Sequence, residues 1–386
     1  MKYKLLPHTE KNWAALNEAL HTPKDTGEQL RAWVKHRQEK EGTLPKNPDY
    51  ITIPDEPVTP LNPEKTVEEQ KAAELYKTMT TARDAVREYR SELRKDARLG
   101  VLEDRLVEAI KTMPPLKFQR KGGMLDPNDA REGIFLLSDW HIGSYVNNFY
   151  NKFDYDIAVK RVQKLAEEVI KYCELFHITT LHVLDLGDLI EGEIHVTVRV
   201  TNELNTCDQV IQATELLAQF LTTVAEHVDS IDYRSCVGNH DRVIQNWKES
   251  TDDDNLIYLI NWALKMRLEL NDVENVHFEF ENMSDTMGMF KLWDGRKVGY
   301  AHGHTFATDT AYQNFTGALQ SYVDYICLGH FHSAKTKEFN SAKVYVNGSL
   351  KGVDTYAMQK SLYSRPSQTL IVFDGKNDLD FRINLD

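Results

Sequence analysis

Gly133-Ile134-Phe135-Leu136-Leu137-Ser138-Asp139-Trp140-His141 is an unbroken apolar run that ends in a carboxylate and an imidazole two residues apart. A run this short, apolar at consecutive positions and closed by polar residues, reads as a strand buried on both faces. The same grammar recurs. Thr180 to Leu186 runs into Gly187-Asp188-Leu189-Ile190-Glu191, and Tyr233 to Val237 into Gly238-Asn239-His240-Asp241. Lys297 to Ala301 then leads to His302-Gly303-His304, and Tyr325 to Leu328 to Gly329-His330-Phe331-His332. Between the strand candidates, Ala158, Val162, Leu165, Val169, Cys173 and Phe176 mark one amphipathic helix, and Ile211, Leu216, Phe220 and Val224 another. Strands alternating with helices predict an α/β fold, and in open α/β sheets the carboxyl ends of the strands line the ligand crevice. Segments from Asp139 to His332 can therefore meet in one place.

Six of the fourteen histidines fall in these strand-end segments, together with three Asp, one Glu and one Asn. Carboxylate, imidazole and amide oxygen without thiolate suit a hard or borderline divalent cation: manganese first, with iron, zinc or magnesium also compatible. A lone Asp-x-His or Gly-x-His is a common turn, and any one of these motifs alone says little. The ordered set Asp-x-His, Gly-Asp, Gly-Asn-His-Asp, His-Gly-His, Gly-His-x-His has too many independent positions to arise as coincidental turns.

In this set, over residues 131 to about 350, the sequence resembles the calcineurin-like metallophosphoesterase superfamily. The resemblance implies an α-β-β-α fold, a two-sheet sandwich flanked by helices, with two divalent metal ions at the strand ends. It would place Asp139, His141, Asp188 and His332 around the first metal and Asp188, Asn239, His302 and His330 around the second, with Asp188 bridging. His240 takes the position of the family's catalytic histidine, and Glu191 that of the acidic partner that orients it. The implied chemistry is hydrolysis of a phosphodiester by metal-activated hydroxide. His304, Arg199 and Arg242 lie beside the motifs as candidate phosphate contacts, with second-shell packing or surface ion pairing as the alternatives. The Gly-Asp-x-x-Asp-Arg-Gly of protein phosphatases is absent, Glu191-Gly192 standing there instead. The Gly-His-x-His ending is more similar to SbcD-type DNA repair nucleases and small phosphodiesterases. The chain stops at Asp386 without the extension through which those nucleases engage an SbcC-type coiled-coil ATPase, so that partner is not carried over.

N-terminal to this region the texture differs. Residues 9–20 and 26–39 read as two short helices, fitting either a helix-turn-helix-like DNA module or a packing and oligomerisation element of a homo-oligomer. Five prolines between Pro45 and Pro60 mark a linker. The capping-box pattern Thr66-x-x-Glu69 opens a helical tract that Pro114-Pro115 stops, with Gly100 a place for a break. Arg83, Arg87, Arg90, Arg94 and Arg98 share one face of it, beside an acidic stripe of Asp84, Glu88, Glu92 and Asp96. That face is either a solvated, ion-paired surface or a contact for nucleic-acid phosphates. The expected organisation is a small helical segment (1–44), a Pro-rich linker (45–65), a helical arm (66–125) and the metallophosphoesterase domain (130–386). After Lys335 the turn signals Asn347-Gly348 and Asp374-Gly375 predict β-hairpins.

With 41% hydrophobic and 27% charged residues the chain falls in the globular range, which excludes wholesale disorder. It lacks an apolar run of about 18 residues, and its four cysteines form no CxxC pair, so a cytoplasmic protein with reduced thiols and no membrane partner is expected. The net charge of −13 is uneven: residues 1–130 hold 23 Lys+Arg against 22 Asp+Glu, leaving 23 against 37 for the rest. An acidic catalytic region engages phosphate through cations rather than a broad basic surface. The expected function is a metal-dependent phosphodiesterase acting on DNA as an exonuclease or endonuclease, with a small-molecule or cyclic-nucleotide phosphodiesterase and a non-enzymatic scaffold with this fold as the alternatives.

Overall fold

The structure, a computed structural model, describes residues 3–7, 50–54, 67–121, 129–194, 196–244, 246, 250, 254–279, 286–305, 307–359, 363–375 and 377–386. The chain forms two compact units, Met1–Leu93 and Arg94–Asp386. In the first, β1 (Tyr3–Pro7) pairs antiparallel with β2 (Tyr50–Pro54), so a strand lies inside the stretch read as a linker. Tyr50-Ile51-Thr52-Ile53 is rich in β-formers, which the flanking prolines masked. The two short helices expected at 9–20 and 26–39 lie outside the described residues. Helix α1 (Val67–Thr112) is continuous through Gly100, correcting the expected break, because one glycine in an exposed helix costs only about 1 kcal/mol. Its last turns bury Leu102, Leu106 and Ile110 in the core of the second unit.

The second unit is built on two sheets. After β3 (Arg131–Leu137) come the short hairpin β4 (Val146–Asn147) and β5 (Lys152–Phe153), then α2 (Tyr155–Phe176), β6 (Ile178–Asp185), α3 (Val196–Thr201) and α4 (Thr206–Ala225). The chain continues through β7 (Ser230–Ser235), α5 (Leu256–Glu269), β8 (Val276–Phe278), β9 (Met287–Lys291) and β10 (Lys297–Ala301). It ends with α6 (Ala311–Leu319), β11 (Tyr325–Leu328), β12 (Lys335–Phe339), β13 (Ala342–Val346), α7 (Thr355–Gln359), β14 (Ser367–Asp374) and β15 (Asn377–Asn384). One sheet has the order β15-β14-β3-β6-β7-β8, with β3, β6, β7 and β8 parallel. The other has the order β12-β13-β11-β10-β9, with β13, β11 and β10 parallel.

Side-chain alternation sorts each strand between two layers. On β3, Phe135 and Leu137 pack under the helices, while Ile134 and Leu136 meet Tyr300, Tyr325 and Tyr345 of the other sheet. On β11, Tyr325 and Cys327 face between the sheets, and Ile326 and Leu328 pack beneath α6 with Phe315. This is the expected α-β-β-α sandwich, and double burial explains why the strands read as unbroken apolar runs. Asp154 caps α2 by accepting from Ile157 N, and His177 ends it in the left-handed conformation at φ 55°. All four cysteines are free thiols, three of them buried. Among the described residues no helix is long and apolar enough to cross a membrane.

Strand β7 starts three residues earlier than the sequence suggested, because Asp232 and Arg234 mark its second face as polar. That face meets His182 of β6, whose ring lies 3.0 Å from Glu132 and 3.2 Å from Asp232. Burial disfavours the imidazolium, but hydrogen bonds to Asp232 and Glu132 raise its pKa above 6.5. A raised folded-state value stabilises the fold fully below the unfolded value, and this stabilisation is lost as pH rises through the folded one. His182→Gln is therefore expected to cost about 2 kcal/mol near pH 6, in a gap that closes as pH rises past neutrality. Denaturant titrations of both proteins across pH measure it, and a gap that widens with pH would contradict the assignment.

Candidate metal centre

The ends of β3, β6, β7, β10 and β11 meet at one edge of the sandwich, so both sheets supply side chains to the same place. Five residues there, Asp139, His141, Asp188, His330 and His332, hold φ between 52° and 67°. Left-handed backbone costs an L-residue about 1–2 kcal/mol, and such outliers gather at functional sites. Here the bend turns each side chain off the strand end towards the others. Gly238 answers a different need: a Cβ would fall 2.3 Å from Asp188 N and Oδ1, so only glycine lets the β7 loop lie against the Asp188 turn.

Three groups of donors result, Asp139/His141/His332, His141/Asp188/His240 and Asp188/His302/His330, each with atoms within 4.8 Å of one another. His141 Nε2 and His332 Nε2 face each other at 3.1 Å, and Asp139 Oδ1 lies 3.2 Å from His332 Nε2. On the other side, His302 Nε2 is 3.0 Å from both Asp188 Oδ2 and Asn239 Oδ1. All seven metal ligands expected from the sequence are thus brought together. The donors fit divalent cations: they are imidazole nitrogens and carboxylate oxygens without thiolate, and Asp188 and His141 are each shared between two groups. His302 Nδ1 donates to Leu186 O at 2.6 Å, which leaves Nε2 aimed at Asp188.

The electrostatics point the same way. Burial favours neutral carboxyls, yet the neighbouring His332 and His302 hold Asp139 at about 2, and His302 and His240 hold Asp188 well below the ordinary range. Burial opposes charge on His302, but Asp188 lifts it to about 9. Buried carboxylates that keep a neighbouring imidazole protonated mark a place where a cation competes with protons. Behind them, Asp241 accepts from Asp188 N at 2.8 Å and fixes the turn from the far side.

Glu191 departs from its expected role. His240 Nδ1 donates to the backbone carbonyl of Glu191 at 2.8 Å, while the Glu191 carboxylate lies 2.8 Å from His141 Nδ1. The carboxylate is turned there by Lys351 Nζ at 3.1 Å, which also pairs with Asp354 at 2.8 Å. Burial alone would raise the pKa of Glu191, and Lys351 and His141 drive it well below the usual range instead. The residue orients both histidines, but His240 through its main chain and His141 through its side chain. Lys351 and Asp354 were not foreseen: Asn347-Gly348 read as a hairpin turn, whereas the chain leaves β13 in a loop whose Leu350 N and Ser349 Oγ bond to Asp139 O. The hairpin between β12 and β13 turns instead at Asn340 and Ser341, both at positive φ.

His304 lies beside His302, ring centroids 5.4 Å apart, and burial with the His302 charge lowers it to about 4. Arg242 is close enough for its charge to act on Asp188 and His304. Arg199, on α3, is exposed and makes no described contact with the cluster. Helix α5, unmarked by the sequence pattern, braces the β7 loop: Leu256 N donates to Asp241 O at 2.7 Å and Asn255 Nδ2 to Gly238 O at 3.2 Å.

Residues 174–364 match the family model described as the calcineurin-like phosphoesterase superfamily domain. The sandwich and the strand-end donor groups agree with this match, so these residues are similar to the domain of a calcineurin-like phosphoesterase. Among curated proteins the chain is 22% identical over 320 residues to the SPbeta prophage-derived uncharacterized protein YonJ of Bacillus subtilis (strain 168), covering 80% of this chain and 77% of that one. Solved structures similar to it include an archaeal phosphodiesterase (14% identity, 65% of this chain and 99% of that chain, TM-score 0.33). Another is Vps29 from Cryptosporidium parvum (14% identity, 66% and 92%, TM-score 0.33).

Lys351→Met should leave the buried Glu191 and the half-buried Asp354 without their cation and let His141 turn. Metal affinity is expected to fall about 10–100-fold, with a loss of about 3–5 kcal/mol in stability. Metal titration and chemical denaturation of the variant test this, and unchanged metal affinity would detach Lys351 from the centre.

Proposed function

We propose that the chain is a two-metal-dependent phosphodiesterase acting on DNA, as an exonuclease or endonuclease of SbcD-like type. The observation that carries the reading is the sharing of Asp188 and His141 among three adjoining donor groups, the arrangement two neighbouring cations need. In this reading Asp139, His141, Asp188 and His332 hold one cation, and Asp188, Asn239, His302 and His330 the other. Cations held there supply Lewis-acid polarisation of the phosphoryl oxygens and acidify a water for in-line attack at phosphorus. His240, held at Nδ1 by the Glu191 carbonyl, presents Nε2 to the leaving oxygen and gives it a proton. Arg242 and His304 stand where a substrate phosphate would extend beyond the cations.

The exposed arginines of α1, from Arg83 to Arg98, are the proposed source of long-range attraction for DNA. The acidic balance of residues 131–386 favours a second reading, a small-molecule or cyclic-nucleotide phosphodiesterase. Protein supplied with manganese should cleave labelled single- or double-stranded DNA, and excess chelator should abolish this. Turnover of bis(p-nitrophenyl) phosphate that DNA does not inhibit would favour the second reading, and no metal-restored turnover of either would leave a scaffold.

A further inference from the structure

The hairpin that follows His141 carries aromatic side chains to the surface instead of burying them: Tyr145 is 50% exposed, Phe149 92% and Tyr150 56%. Tyr363, 54% exposed, joins them from the segment before β14. The rings form a cluster, with centroids 5.1 Å apart for Phe149 and Tyr150 and 4.8 Å for Tyr150 and Tyr363. Its backbone is held firmly. Asn148 Oδ1 accepts from both Tyr150 N and Asn151 N at 2.8 Å, and Asn148 Nδ2 donates to Val353 O. Buried Asn151 donates to Lys351 O at 2.7 Å, and Arg161 ties Asn151 Oδ1 to Leu350 O and Lys351 O. The anchoring segment is thus the one whose Lys351 reaches Glu191 and, through it, His141. The aromatic rim is hydrogen-bonded to the segment that supplies Lys351 to Glu191.

Resting on the nuclease reading, we infer that this rim is a base-stacking platform, and that the substrate is presented to the site as unpaired strand. Every base has a π-face, and stacking on aromatic side chains binds single strands without sequence preference. A base pair inside a duplex has both faces covered by its neighbours and cannot use such a platform. Stacking also requires no positive surface, which suits a catalytic unit with 23 basic against 37 acidic residues beyond residue 130.

The test uses the full chain with manganese and two single-stranded oligonucleotides of equal length. One is ordinary, and the other is abasic at the two nucleotides on either side of the scissile phosphate. Wild type should favour the ordinary strand by about tenfold or more in kcat/KM. Combined Phe149→Ala, Tyr150→Ala and Tyr363→Ala should bring the two substrates together, while methyl p-nitrophenyl phosphate turnover stays unchanged. Phe149→Ala alone, which removes the most exposed ring, should lower the ratio with no effect on folding, and Phe149→Trp should keep it. Cleavage of both strands with the same preference in the triple variant would overturn the platform and leave the nuclease reading standing. Failure to cleave any oligonucleotide while the small diester is turned over would overturn both.

Discussion

Asp188→Asn is expected to empty most of the metal centre and lower turnover by well over about 100-fold, since even supporting residues of a metal site cost 10–100-fold. The side chain is fully enclosed, its Oδ1 taking His240 N–H at 2.7 Å and its Oδ2 facing His302 at 3.0 Å. An amide keeps the volume and still accepts from His240, but removes the anion shared by two donor groups. The fold should survive. Asp185 and Asp241 are buried nearby and pushed upward, first by burial and in part by the Asp188 charge, Asp185 to about 7. Neutralising Asp188 relieves that repulsion but also removes the partner that keeps His302 charged, so the metal-free variant should be folded yet less stable than metal-free wild type at neutral pH. Asn239→Ala, which touches one group only, should retain more metal. Elemental analysis of the variants decides, and equal losses would undo the sharing role.

His240→Ala should lower turnover by about 10²- to 10⁴-fold while metal content stays near that of wild type. The geometry gives this its edge: His240 lies within reach of His141 and Asp188, yet its Nδ1 is committed to the Glu191 carbonyl. If the remaining nitrogen serves a leaving group, the loss falls on kcat with any oxygen leaving group, and is smaller for p-nitrophenolate, which needs little protonation. If it serves a cation, metal is lost in proportion to activity. A variant that loses both together reassigns the residue as a ligand.

Much of this centre was legible because most of its ligands follow doubly buried strands, where apolar runs stop abruptly at polar residues. That transition marks the segments, and the resemblance to the metallophosphoesterase superfamily is what singled out Asp139, His141, Asp188, Asn239, His302, His330 and His332 within them. What the sequence concealed were contacts made across the chain. Lys351 is a lone lysine in a loop until its ion pairs with Glu191 and Asp354 are seen, and nothing local distinguishes it from a surface cation. Glu191 was placed beside His240 by position, but a backbone carbonyl carries no sequence signal, so its true partner could not be read. Helix α5 was hidden because Leu256-Ile257-Tyr258-Leu259-Ile260 is apolar throughout and fits strand or helix equally. Hairpin chemistry misled at Asn347-Gly348, where Asn347 spends its amide on Leu136 O and Ser138 Oγ instead of turning the chain.

The left-handed residues at the strand ends bear on how such a chain changes over generations. At Asp139, His141, Asp188, His330 and His332, glycine would suit the backbone better than the residue present. The most comfortable substitutions at these positions are therefore the ones that erase the chemistry. A lineage released from the need to hydrolyse anything would drift toward a sturdier and inert sandwich without leaving its fold. Holding all five side chains there sets the chemistry of the site against the local preference of the main chain.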